Sequence, residues 1–276
     1  MKRNFLSLLL TAALFTVSVF VPFKAEAYAL NEENKPLSRQ ILTEGIVLLK
    51  NEDALPLTST DRIAVFGSCV YTGKAESGFQ IGGGGSSALT PNYTPVDPLS
   101  ALESAAAGGE IRLYEPLADC YRKNAGYTPD DDMYKAARAE TDKAVMVLSR
   151  YSTEGGDRKA EKGDWYLSDS ETEMLKKLSG LYDSVIVLVN SGGAIDTSWA
   201  AGKVEGIDVE AVLFTWYPGA EGGRAVAQLI FGDYSPSGRL PVTFYHNDED
   251  LPAFTDYAMT NRTYRFREQK PLYPFG

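Results

Sequence analysis

Short apolar runs alternate with amphipathic segments along most of the chain. The apolar runs predict buried strands at 62–66, 111–114, 144–148, 185–189, 209–214 and 242–245. Apolar residues at helical spacing predict helices over 37–49, 98–107, 132–142, 168–181 and 221–231. Because strands and helices alternate, the pattern predicts an α/β fold with a mostly parallel six-stranded sheet sandwiched between helices.

Residue types at two predicted helix starts support this interpretation. Asp97 before Pro98 is typical of an N-cap with proline at the first helical position. Ser168 and Glu171 have the spacing of a capping box. These local signals place the beginnings of the helices at 98 and 168.

The first 27 residues have the composition of an export signal. Basic residues Lys2 and Arg3 precede an uncharged apolar stretch at 5–21, and a small-x-small pattern ends at Ala27. We predict a signal peptide at 1–27, cleaved after Ala27, and a secreted or cell-surface protein with no membrane segment after cleavage. The alternative is an uncleaved membrane anchor, because the apolar stretch is long for a signal peptide.

Overall composition excludes some partners. The chain is 44% hydrophobic and carries a formal net charge of −10, so nucleic acid is not expected as a partner. The two cysteines, Cys69 and Cys120, could form a disulfide in an exported protein or remain free. With His246 as the single histidine they make a poor ligand set, so we expect no metal and no cofactor.

Candidate chemistry lies in the loop after the predicted strand 144–148. In open α/β sheets ligands bind at the carboxyl ends of strands, and this loop carries Glu154, Asp157 and Arg158 beside two glycines. Glu154 could act as a general acid if a closing substrate partly buried it, and Arg158 could keep Asp157 ionised. The alternatives are a solvated turn and a local salt bridge that braces the loop.

Other types of active site have weaker support. The glycine run at 82–85 lacks the lysine and spacing of a phosphate-binding loop, so a loop that borders a ligand cleft is favoured over nucleotide binding. A Ser/His/Asp triad has no G-x-S-x-G motif to support it. Carboxylate chemistry at Glu154 therefore remains as the leading hypothesis.

Several motifs resemble glycoside hydrolase family 3, in the α/β-sandwich domain usually labelled its C-terminal domain. They are IVLLKN (46–51), STEGGDR (152–158), NSGGAID (190–196), WYPGAEGG (216–223), FGDYSPSGRLPVTF (231–244) and LYPFG (272–276). Together the motifs extend over nearly all of the chain after the predicted signal peptide. The resemblance implies the family's (α/β)6 sandwich fold.

The resemblance also implies an activity. Family members are mostly retaining β-glucosidases that hydrolyse terminal β-D-glycosides, and the position that matches their acid/base glutamate is Glu154. Their nucleophile is an aspartate on a separate TIM barrel. Near Glu154, Arg158 could bind a sugar hydroxyl or brace the loop, while Trp165 and Tyr166 could offer an aromatic platform for the leaving sugar or simply pack at the rim.

The domain order resembles the permuted branch of the family, in which the sandwich precedes the barrel. We divide the chain into a signal peptide (1–27), a sandwich domain (28–250) and a loop-rich segment (251–276) that leads to a missing downstream domain. No barrel of ~250 residues fits in the chain, so we expect the chain alone to be inactive. The alternative function is a stand-alone, non-catalytic sugar-binding module.

Overall fold

The computed structural model describes residues 32–71, 78–85, 94–247, 250–253, 255–260, 262–263 and 265–276. The predicted signal peptide and its cleavage site lie outside these residues. None of the helices in the described part of the chain combines the length and hydropathy needed to cross a bilayer.

Helices and strands alternate along the described chain. The helices are α1 (Lys35–Gly45), α2 (Pro98–Gly108), α3 (Glu115–Lys123), α4 (Asp131–Glu140), α5 (Asp169–Leu181) and α6 (Gly222–Ile230). The strands are β1 (Val47–Asn51), β2 (Arg62–Phe66), β3 (Arg112–Leu113), β4 (Lys143–Arg150), β5 (Ser184–Ser191) and β6 (Ala211–Phe214). Short 3₁₀ turns occur at Glu32–Asn34 and Ser198–Ala201.

The six strands form one sheet in the order β1-β6-β5-β4-β2-β3. All neighbouring pairs are parallel except β1 and β6, which are antiparallel. Helices flank the sheet, and α6 packs against α1 and α2. The predicted α/β class with a mostly parallel six-stranded sheet is therefore confirmed.

The core lies along the central strands. All eight positions of β5 are buried, as are all four positions of β6. Such strands read as continuous apolar runs because a parallel sheet covered by helices is shielded from water on both faces. The longest register in the sheet, eight residue pairs, joins β4 to β5 and places the ends of both strands at one edge.

Two predicted elements differ from the structure. The helix predicted over 37–49 ends at Gly45, and Val47–Asn51 is instead the antiparallel edge strand beside β6. The strand predicted at 242–245 does not join the sheet. Its residue Phe244 instead makes a single isolated β-bridge to Tyr273. The predicted number of strands is right, but β1 replaces 242–245 as the sixth strand.

Local features agree better with the prediction. The Asp97 carboxylate accepts a hydrogen bond from the Ser100 amide at 2.8 Å, and both halves of the Ser168–Glu171 capping box are present. Helix α3 was not predicted, although it begins with a glutamate and a proline. Cys69 and Cys120 are both free thiols, and burial raises the pKa of Cys69.

Candidate active site

A cleft of about 370 Å³ opens at the carboxyl edge of the sheet. Strands β4, β5 and β6 are neighbours there, and each contributes the residues that follow its last position. The glycine-rich segment after β2 forms the facing wall. The lining residues are Ile81, Gly82, Gly83, Gly84, Ser152, Thr153, Glu154, Gly192 and Tyr217. This edge is where open α/β sheets bind ligands.

Glu154 lies at the tip of the loop that follows β4. The loop turns back through Gly155, which has a φ of 73°, and through a hydrogen bond from the Gly156 amide to the Thr153 carbonyl at 3.3 Å. The Glu154 side chain is exposed. The turn therefore presents a carboxylate at the mouth of the cleft.

The backbone of the glycine-rich wall lies directly against the Glu154 loop. The Gly84 amide donates to the Ser152 carbonyl at 2.9 Å. A Cβ atom placed on Gly85 would lie 2.8 Å from the Glu154 Oε2 atom, and Gly85 also has a φ of 73°. Larger residues at these positions would displace the Glu154 loop, so the glycines border the cleft as predicted.

Asn190, near the end of β5, joins three segments around the cleft. Its Oδ1 atom accepts from the Gln80 amide at 2.6 Å and from the Ser149 hydroxyl at 2.8 Å. Its Nδ2 atom donates to the Gln80 carbonyl at 2.9 Å and to the Trp216 carbonyl at 2.6 Å. The side chain is fully buried, and these bonds satisfy its hydrogen-bonding capacity.

Arg150, the last residue of β4, holds the chain behind the Glu154 loop. Its two terminal nitrogens each lie 2.7 Å from a different carboxylate oxygen of Glu171 on α5. It also donates to the carbonyls of Asp164 at 2.8 Å and Tyr166 at 3.1 Å. The Arg150 side chain is 5% exposed and the Glu171 side chain 19%, so a bidentate ion pair with a buried arginine anchors the segment that follows the candidate acid.

Arg158 makes a different ion pair from the one expected. Its Nη1 atom donates to Asp164 Oδ1 at 2.6 Å and its Nη2 atom to the Ser152 hydroxyl at 2.7 Å. The pairing with Asp157 that the sequence allowed is not observed, and the Asp157 side chain is exposed. Arg158 does brace the loop, whereas its contact with a sugar hydroxyl stays a prediction.

The electrostatic consequence of this pairing falls on Asp164. Partial burial raises the pKa of its carboxyl, but hydrogen bonds from the Arg158 guanidinium and the Lys159 amide outweigh burial, so the pKa lies below its usual range. Asp164 is thus held as a carboxylate and serves as the anchor of Arg158. It is not arranged to donate a proton.

Trp165 and Tyr166 are half-buried and follow the Glu154 loop in sequence. The Trp165 carbonyl accepts from the Asp196 amide at 3.0 Å, and the Tyr166 carbonyl accepts from Arg150. Neither residue is among those that line the cleft beside Glu154. Their role as an aromatic platform stays a prediction.

Sequence reasoning missed the aromatic residue that does line the cleft. Tyr217 follows the end of β6, and its hydroxyl donates to the Arg150 carbonyl at 2.8 Å. The sequence did contain one signal, because Tyr217 comes three residues after Phe214, the last residue of a predicted buried strand. Glu154 was proposed from the same kind of position, shortly after the end of a strand.

This geometry limits the chemistry. Within the described ranges, no group of three or more histidine, cysteine, aspartate or glutamate residues is placed to hold a metal ion. One exposed carboxylate faces a cleft with glycine, hydroxyl and aromatic walls. Such an arrangement can donate a proton to a bound substrate or take one from it, which is general acid or base chemistry.

Known glycosidases are similar to this chain in sequence. It is 31% identical to the β-glucosidase A of Butyrivibrio fibrisolvens over 91% of its own length and 35% of the relative. It is 44% identical to a xylan 1,4-β-xylosidase of Xylanibacter ruminicola, over 48% of this chain and 14% of that protein.

A solved structure shares the fold. The β-glucosidase of Paenibacillus barengoltzii matches 88% of this chain with a TM-score of 0.77 and 30% identity, over 29% of its own length. The chain thus spans about a third of the length of such relatives. The family model for the glycosyl hydrolase family 3 C-terminal domain matches residues 46–276. The chain belongs to glycoside hydrolase family 3, and these residues are its C-terminal-type domain.

Proposed function

We propose that this chain is the acid/base-bearing part of an exported, retaining β-glycosidase of the β-glucosidase type. The observation that carries the proposal is the position of Glu154, exposed at the mouth of the cleft in the STEGGDR loop after β4. Glu154 would protonate the oxygen of the glycosidic bond as it breaks. It would then remove a proton from the water that releases the sugar.

A retaining mechanism needs a second carboxylate. The two carboxyl groups of retaining glycosidases are only about 5–5.5 Å apart, on opposite sides of the scissile bond. Asp157 is poorly suited to that role, since it lies on the same short loop three residues after Glu154. The proposal assigns the nucleophile to an aspartate on a TIM-barrel domain of the same enzyme. The greater length of the relatives is consistent with such a domain.

The exposure of Glu154 fits a cleft that is completed by another surface. A glutamate acts as a general acid near neutral pH when burial raises its pKa toward the working pH. In the structure the Glu154 side chain is exposed. The substrate and the barrel domain would bury Glu154 when they cover the cleft. The pKa of Glu154 would therefore rise when substrate is bound.

The choice of sugar rests on the relatives. The match to a β-glucosidase extends over 91% of this chain, and the more identical match to a β-xylosidase over 48%. Glucosides are therefore the first substrates to test and xylosides the second. Export is proposed from the signal-like composition of residues 1–27.

The test compares two carboxylates on one loop in the native gene product. Glu154→Gln should lower kcat/KM for phenyl β-D-glucoside by at least about a hundredfold, because proton donation contributes that much. The loss should be much smaller for 2,4-dinitrophenyl β-D-glucoside, whose leaving group departs without a proton. Azide should rescue turnover of the second substrate by Glu154→Gly. The matched control is Asp157→Asn, which should leave both rates unchanged.

Two results would contradict the proposal. An equal loss on both glucosides would mean that Glu154 does not donate the proton. Hydrolysis by this chain alone would mean that the nucleophile lies within it. A gene product with the mass of this chain that binds glucosides without cleaving them would instead support the sugar-binding module.

A further inference from the structure

The turn after β6 carries unusual backbone strain. Trp216 has a φ of 55°, a left-handed conformation that costs a residue with a side chain about 1–2 kcal/mol. The strain is held in place by Asn190, which donates to the Trp216 carbonyl at 2.6 Å, and by the indole nitrogen, which donates to the Gly45 carbonyl at 3.2 Å. Strain that the surroundings enforce in this way concentrates at functional sites.

The strained residue is followed directly by the aromatic residue of the cleft. Trp216 packs its ring against Phe214, with centroids 4.5 Å apart, and so stays with the core. Tyr217, the next residue, is half-buried and lines the cleft with Glu154. The left-handed turn therefore directs two adjacent aromatic side chains to different places. Trp216 packs against the core, and Tyr217 lines the cleft.

The Tyr217 ring is fixed by two further contacts. Its hydroxyl donates to the Arg150 carbonyl at 2.8 Å. A Cβ atom on Gly192 would lie 2.5 Å from a carbon of the ring, so the ring rests directly on the backbone after β5. Because the hydroxyl proton is already donated to Arg150, the ring offers the cleft an apolar face and no free proton donor.

We infer that Tyr217 determines which leaving groups the enzyme accepts. This inference rests on the proposed function, in which Glu154 protonates the oxygen of the leaving group. A residue in the same cleft wall would contact that group rather than the sugar that stays bound. A fixed aromatic ring favours leaving groups with a flat apolar face, namely aryl rings and the C–H face of a β-linked pyranose.

The experiment uses the native gene product and three variants. Tyr217→Ala should lower kcat/KM for phenyl β-D-glucoside about three- to tenfold, the range of one aromatic contact, mainly through KM. The value for methyl β-D-glucoside should stay within about twofold, because a methyl group has no face to stack. Tyr217→Phe loses the bond to Arg150 but keeps the ring against Gly192, so it should keep the wild-type ratio of kcat/KM between the phenyl and methyl glucosides. Tyr257→Ala, at a side chain that is 73% exposed, is the matched control.

The outcomes separate this inference from the proposed function. An unchanged phenyl-to-methyl ratio in Tyr217→Ala overturns the inference, and so does an equal loss on both substrates, which would indicate a role in holding the Glu154 loop. If Tyr217→Ala does not fold, Tyr217→Leu keeps apolar volume without a ring and should show the same change of ratio. A wild-type protein without Glu154-dependent hydrolysis refutes the proposed function itself.

Discussion

Replacing Asn190 by alanine would disconnect both walls of the cleft from the sheet. The Asn190 side chain is the point at which β5 holds the glycine-rich segment, through Gln80, and the strained turn, through Trp216. It also accepts a hydrogen bond from the hydroxyl of Ser149 on β4. Alanine removes every one of these bonds and offers no replacement, while the partner groups stay at a buried site.

The magnitude follows from the four hydrogen bonds of that side chain. A buried hydrogen bond contributes about 1 kcal/mol net, and a partner left buried without a bond costs about 1–3 kcal/mol. Local relaxation will admit water to some partners, so we expect Asn190→Ala to lower the free energy of unfolding by about 4 kcal/mol. For a domain of this size that corresponds to a fall in Tm of roughly 10 °C.

Urea denaturation at neutral pH measures this difference directly. The control is Asn51→Ala, an exposed side chain that bonds only to the backbone of Leu55, for which we expect a loss of about 1 kcal/mol or less. Hydrogen exchange at residues 78–85 should also accelerate in the Asn190 variant. A loss below about 1 kcal/mol for Asn190→Ala would refute the reasoning that this side chain carries the connection.

Two further variants test the buried carboxylate of Asp196 and the half-buried carboxylate of Glu171. Burial raises the pKa of Asp196, so its contribution to stability is present at low pH and declines as the pH rises through the folded-state pKa. Asp196→Asn should therefore gain stability relative to the wild type between pH 4 and pH 7, as measured by urea denaturation, and a constant difference would contradict this. Glu171→Ala should cost about 3–5 kcal/mol because it leaves Arg150 buried without its partner. Glu173→Ala, at a side chain that is 72% exposed, should stay within about 0.5 kcal/mol.

Buried strands were predictable because their signal is local. The runs at β2, β4, β5 and β6 are apolar at successive positions, and burial on both faces of a parallel sheet requires that pattern. The segment 37–49 was mispredicted because helical spacing continues past Gly45. Pairing of Val47 with Phe214 of β6, far away in sequence, decides its true conformation. A single sequence does not display that pairing.

The same distinction explains what could be predicted of the site. Glu154 follows the end of a recognisable strand, so its position at the carboxyl edge follows from the local pattern of residues. Tyr217 has an equivalent position, but its contact with Arg150 crosses 67 residues and gives no local signal. Residues whose role depends on such distant partners were therefore missed.

A partial signal for the missed residues does exist in the sequence. Asn190 ends an apolar run, and Arg150 follows another, at positions where the fold leaves little access to water. A polar group in that position must find a partner, because an unpaired buried group costs about 1–3 kcal/mol. The sequence thus predicts that a polar network exists at the strand ends, and the fold decides which residues complete it. Since that network positions the loop of Glu154, the polar positions inside apolar strands are the ones to examine first for the support of a catalytic residue.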